Sequence, residues 1–141
     1  TGLSSAKIKD VGSLTPVQRG QDLISSGNQA DYLIITAKSF LPYARQMAEL
    51  RPQLSSKIVT MDEIYFEFNS GVPDPTAIRN FIRRAYYNWR QPAPSYVLLF
   101  GDGHYDYRHI ILPDSIRVPP YEIFSTSQIY SRTTDNYFVD M

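Results

Sequence analysis

The chain predicts an α/β fold, a three-layer sandwich around a mainly parallel sheet, and three observations carry that expectation. Short apolar runs at 31–37, 57–61 and 96–100 are too brief for helices and rich in β-branched or aromatic residues. Apolar residues at helical spacing separate the runs, giving the order strand, helix, strand, helix, strand. Two crossovers in succession nearly always wind a parallel sheet right-handedly, and the expected strand order is 2-1-3.

Residues 1–30 are rich in Ser, Gly, Gln and Asn, the composition of a leader or linker from a preceding domain. Little regular structure is expected there beyond a short strand or turn near Leu23-Ile24. Asp31-Tyr-Leu-Ile-Ile-Thr-Ala37 is a continuous apolar run and reads as a strand covered on both faces. Ser39 is placed to cap the next helix, with Pro42 in the first turn, where a missing N–H costs least. Phe40, Ala44, Met47 and either Leu50 or Leu54 would face the core, and Pro52 blurs the far end.

Lys57-Ile-Val-Thr-Met61 supplies the second strand, and Asp62 is a candidate cap for a short helix carrying Ile64, Tyr65 and Phe68. The 69–74 segment, Asn-Ser-Gly-Val-Pro-Asp, reads as a loop. Asp74-Pro75 is the strongest helix start, an N-cap acid followed by proline at the first helical position. Ile78, Phe81, Ile82, Ala85 and Trp89 follow on one face, with Arg79, Arg83 and Arg84 on a solvated face. Pro92-Ala93-Pro94 stops that helix and leads into the third strand. Beyond Ile110 the pattern changes to Val118-Pro119-Pro120-Tyr121 and a polar, aromatic stretch, with no internal repeat.

Composition narrows the function classes. With 141 residues and 43% hydrophobic content, one sizeable core is affordable. Fourteen basic and fourteen acidic side chains cancel, so no bulk attraction to nucleic acid or an anionic membrane is expected. No apolar run is long enough to span a membrane, and no signal peptide is visible. The absence of cysteine excludes disulfides, thiolate metal sites and a cysteine nucleophile within these residues. Eleven tyrosines suit a surface that is apolar on one side and wet on the other.

The carboxyl ends of parallel strands share one rim, which brings Thr36, Thr60 and the 101–106 loop together and makes that edge the place for any site. In Gly101-Asp102-Gly103, glycine permits a sharp exit from the strand. Asp102 is suited to orient a base, bind a cation or hold its own loop as an Asx turn. His104, with an ordinary pKa of about 6.5, has the chemistry of a general base, set against a solvated loop histidine. Asp102, Asp106 and Asp135 could gather around a structural calcium, although the EF-hand spacing is absent. The ligand pairs of a metal-dependent phosphoesterase are missing, and no G-x-x-x-x-G-K-S/T loop follows the first strand.

Taken in order, Ala30-Asp-Tyr-Leu-Ile-Ile-Thr36, Glu63-Ile-Tyr65, Gly71-Val-Pro-Asp-Pro-Thr-Ala-Ile-Arg79, Tyr96-Val-Leu-Leu-Phe-Gly-Asp-Gly103 with Tyr105-Asp-Tyr107, Val118-Pro-Pro-Tyr121 and Thr134-Asp-Asn-Tyr-Phe138 resemble the gingipain family of cysteine peptidases. The likeness is strongest to its branch of type IX secretion signal peptidases, or sortases. It implies a caspase-like, flavodoxin-like first subdomain over 31–141, cut off at its carboxyl end, with 1–30 preceding it. The family's catalytic histidine and cysteine belong to a second subdomain, so the resemblance assigns no catalytic residue here. Neither His104 nor His109 stands in the family's His-Gly context. Asp102, His104, Asp106 and Asp135 remain candidate supports of the site, and no cofactor is implied.

The implied partners are the missing second subdomain and the parent's protein substrates, with self-association through an uncovered flank. The implied location of the parent is the bacterial surface or outer membrane. Two other classes fit the residues: a stand-alone flavodoxin-like module binding a ligand or cation at the 101–107 loop, and a noncatalytic interaction domain using its tyrosines.

Overall fold

A computed structural model describes residues 20–103, 106, 118–124 and 131–140. Three strands, β1 (Tyr32–Thr36), β2 (Ser56–Thr60) and β3 (Tyr96–Phe100), form one parallel sheet in the order β2-β1-β3. The expected order 2-1-3 is the one observed. Every residue of central β1 is buried, as the continuous apolar run requires of a strand covered on both faces.

Alternation along the strands divides the core in two. Leu33, Ile35, Val59, Val97 and Leu99 meet helices α2 (Met61–Asn69) and α3 (Pro75–Asn88) on one face. Tyr32, Ile34, Ile58, Leu98 and Phe100 meet helix α1 (Leu41–Glu49) through Ala44, Met47 and Ala48 on the other. The result is the three-layer sandwich. Among the described residues no helix is long and apolar enough to cross a membrane.

Two local expectations change and one alternative is decided. Residues Lys38–Phe40 form a 3₁₀ turn and α1 starts only at Leu41, so Ser39 lies inside the turn and caps nothing. Pro42 does fall in the first turn of α1. Of the two residues expected at the last core position, Leu54 takes it and Leu50 is 72% exposed. Asp62 is not the cap of α2: the hydroxyl of Thr60 accepts the N–H of Glu63, while the Glu63 carboxylate accepts the N–H of Thr60, a reciprocal capping box. The box satisfies two donors at once, which a single acid two residues later cannot do.

Helix α3 begins as read, with Asp74 accepting the Thr76 N–H at 2.7 Å and Pro75 at the first position. Its apolar stripe is buried throughout, and Trp89 just past its end is 3% exposed. The arginine face is less solvated than expected. Arg84 clamps the Ile24 carbonyl through Nε and Nη2 at 3.0 and 2.7 Å, and Arg79 holds the Asp140 carbonyl. Arg83 stays exposed.

Residues 20–30 are irregular, with bends and turns, yet they are packed as a strap. Leu23 is fully buried, and its carbonyl accepts the indole N–H of Trp89 at 2.9 Å. The N–H groups of Gln21 and Leu23 donate to Glu63 and Glu67, which lie one helical turn apart on α2. After the rim loop, an antiparallel pair, β4 (Glu122–Phe124) and β5 (Ser131–Thr133), leads to the short helix α4 (Asn136–Val139), which packs on α3 through buried Phe138.

Candidate functional site

Parallel registry aligns Thr36 with Thr60 on one side and with Phe100 on the other, so the carboxyl ends of all three strands lie on one rim, as the sequence predicts. The two rim threonines are structurally engaged. Thr36, wholly buried, donates its hydroxyl to the Phe100 carbonyl at 2.7 Å, tying the last residues of β1 and β3. Thr60 donates its hydroxyl to Glu63 Oε2 at 2.7 Å. The acceptor of Thr36 is a carbonyl, which is no base, and Thr60 Oγ1 also accepts the Glu63 N–H, so both hydroxyls are used by the fold.

Glu63 is the one rim carboxylate with a resolved electrostatic bias. Burial works to raise its pKa, but hydrogen bonds from Thr60 and Gln21 outweigh burial and hold it below the ordinary value. The charge is therefore kept at neutral pH to fasten the strap and the start of α2.

The turn after β3 is built on glycine. Gly101 has φ of 150°, a region essentially reserved for residues without Cβ. At Gly103 a Cβ would collide with the Val118 carbonyl, so the rim loop closes on itself at that point. Asp102 is exposed, its Oδ1 accepts the Gly103 N–H at 2.8 Å, and its carbonyl accepts the Val118 N–H at 3.2 Å. Asp106 is buried at 5% exposure. Asp135 is exposed at the start of α4 and makes no side-chain capping bond. His104 and His109 lie outside the described residues. Among the described residues no three His, Cys, Asp or Glu side chains gather into a group able to hold a metal ion.

Two grooves flank the sheet. One, of about 530 Å³, lies at the end of β2 between α1 and α2, lined by Lys38, Arg45, Ile58, Asp62 and Phe66. The other, of about 560 Å³, lies beside β3, lined by Tyr86, Tyr87, Pro94, Val97 and Val139. The second has an aromatic and apolar rim: Tyr87 and Val139 are each more than half exposed.

Sequence reading missed the residues that hold the rim from outside. Arg79 lies over the Tyr137 ring at 4.9 Å, and Tyr137 stacks on Tyr121 with centroids 3.4 Å apart. Nothing in local spacing signals contacts made by residues 61 apart in the chain.

A three-strand parallel sheet covered by helices on both faces, with its loops collected at one strand-end rim, defines a caspase-like α/β fold. The family model described as Peptidase family C25 matches residues 25–141. The chain belongs to that family, the gingipain family of cysteine peptidases. It is also similar to a solved structure, the crystal structure of dimeric latent PorU from Porphyromonas gingivalis, with a TM-score of 0.64 and 28% identity. That similarity covers 79% of this chain and 12% of the PorU chain, so the present residues span about an eighth of that protein. A comparison with curated proteins gives no match.

Proposed function

We propose that this chain is the first, supporting subdomain of a cysteine endopeptidase of the type IX secretion system. In this reading the parent removes C-terminal sorting domains from exported proteins and works at the bacterial surface. The observation that carries the reading is the match of 117 consecutive residues, 25–141, to the peptidase family in a chain without any cysteine. Thiolate attack on a scissile carbonyl requires a thiol, so the sulfur and its histidine base belong to a second subdomain. Similarity to an eighth of a secretion-system protein supports a larger parent. The chain's own contribution is mechanical: it supplies a wound sheet and a glycine-built rim that abut the second subdomain.

The second subdomain covers the aromatic flank beside β3. Where it is absent, copies of this chain associate through that flank.

The test compares two preparations. The 141-residue chain, incubated with protein substrates and with peptides spanning a sorting-domain junction, shows no hydrolysis above buffer. The parent protein cleaves the junction peptide, and a thiol-alkylating reagent abolishes that cleavage. Hydrolysis by the isolated chain, or alkylation-resistant hydrolysis by the parent, overturns the assignment.

A further inference from the structure

We propose that Arg79 is a positioning residue which, through Tyr137 and Tyr121, fixes the strand-end turn at 101–103. The contacts form a continuous series from helix α3 to the rim. The Arg79 guanidinium lies 4.9 Å from the Tyr137 centroid, and its Nε and Nη2 both donate to the Asp140 carbonyl, the former at 3.0 Å. Tyr137 is also held at its far end, where its hydroxyl donates to Thr76 Oγ1 at 3.1 Å. Its ring then lies face to face with Tyr121, at 3.4 Å between centroids and 3° between planes.

That stack needs a reason. Two aromatic rings set directly over one another oppose their negative faces and ordinarily slide or tilt. A cation over the outer face draws electron density toward itself and relieves the opposition. Arg79 occupies that place.

From Tyr121 the series reaches the rim along a stiff connector. Tyr121 follows Pro119 and Pro120, whose rings remove backbone freedom, so a shift of Tyr121 is passed on rather than absorbed. Val118 at the other end of the connector is buried, donates its N–H to the Asp102 carbonyl at 3.2 Å, and presents its own carbonyl where Gly103 leaves room. The Tyr121 carbonyl is fixed in turn by the Thr134 N–H at 2.9 Å. All of these contacts are made within this chain and are independent of the chemistry assigned to its parent.

The competing account is that Arg79 only glues α4 to α3. Residue-resolved hydrogen exchange on the intact chain distinguishes the two. In Arg79→Gln the Val118 and Thr134 amides exchange roughly tenfold faster, while Leu33 and Ile35 in β1 are unchanged. Arg79→Lys, which keeps a cation above the ring, restores both amides to within about threefold of the parent rate. Tyr121→Leu, which leaves the Arg79–Asp140 contact in place, accelerates Val118 but not Asp140. Unchanged protection of Val118 in both Arg79→Gln and Tyr121→Leu overturns the proposal. So does acceleration of Val118 only in step with β1.

Discussion

Glu63 joins three parts of the molecule with one carboxylate. It closes the capping box with Thr60, accepts the Gln21 N–H of the strap at 3.3 Å, and lines the groove at the end of β2. Its pKa is depressed by folding, so its stabilising contribution is present above the unfolded value of 4.5 and is lost as pH falls through the folded value. Glu63→Gln keeps the shape but removes the charge. By urea denaturation it should cost about 1 kcal/mol at about pH 7, and the difference from the unsubstituted chain should shrink as pH falls below 4.5 and vanish once the folded carboxyl is protonated. A difference that persists in acid would show that shape, not charge, carries the effect. The spelling Thr-x-x-Glu was available in the sequence, and Asp62 competed with it because acids also favour a helix's first turn. What decides between them is which side-chain oxygens reach the N–H groups of Thr60 and Glu63, here Glu63 Oε2 and Thr60 Oγ1, a property of conformation rather than of composition.

The elements most legible in the sequence are those whose signals are local and redundant. Asp74-Pro75 fixes the start of α3, and five apolar residues at helical spacing fix its buried face. Phe81, fully buried, packs edge-on against Phe68 and Trp89 with centroids 5.7 Å away in each case. Phe81→Ala should cost about 3–5 kcal/mol of unfolding free energy through lost burial and a cavity. Arg83→Ala, two residues on and exposed, should change stability by no more than about 0.5 kcal/mol. Equal losses at the two sites in chemical denaturation would contradict the assignment of faces. The arginines show why the opposite face was only half readable. Arg79, Arg83 and Arg84 are alike in sequence, but only Arg79 and Arg84 have a distant carbonyl to grip, and both grips join residues about 60 positions apart. Ser39 fails, and the choice between Leu50 and Leu54 is settled, for a related reason. Ser39 is a good local candidate that the 3₁₀ turn before α1 takes out of the cap position, and beyond α1 the chain turns so that Leu54, one of the two expected residues, makes the core contact.

At the scale of the whole molecule the two edges of the sheet are unequal, and that inequality follows from strand order. On β2 the outward groups are those of Ile58 and Thr60: the Ile58 carbonyl accepts the Gln21 side-chain amide at 3.0 Å and the Thr60 N–H is bound by Glu63 at 2.8 Å. Side chains and the strap therefore close that edge. On β3 the Tyr96 N–H turns toward Asp31 of the β1 side, which places the groups of Val97 and Leu99 outward. Among the described residues nothing pairs with them, and the apolar groove with Tyr87 and Val139 lies alongside. With one edge closed and the other open among the described residues, the sheet has one side on which a further strand can add. In dilute solution the Val97 and Leu99 amides should exchange roughly a hundredfold faster than Leu98, while Thr60 stays protected. If copies of the chain cover the flank, raising the concentration should slow Val97 and Leu99, and sedimentation should show association. Val139→Lys, a change at an exposed position, should weaken it at least about tenfold. Slow exchange at Val97 and Leu99 at every concentration would mean that the edge is already paired within one chain, and association indifferent to Val139→Lys would place the contact elsewhere.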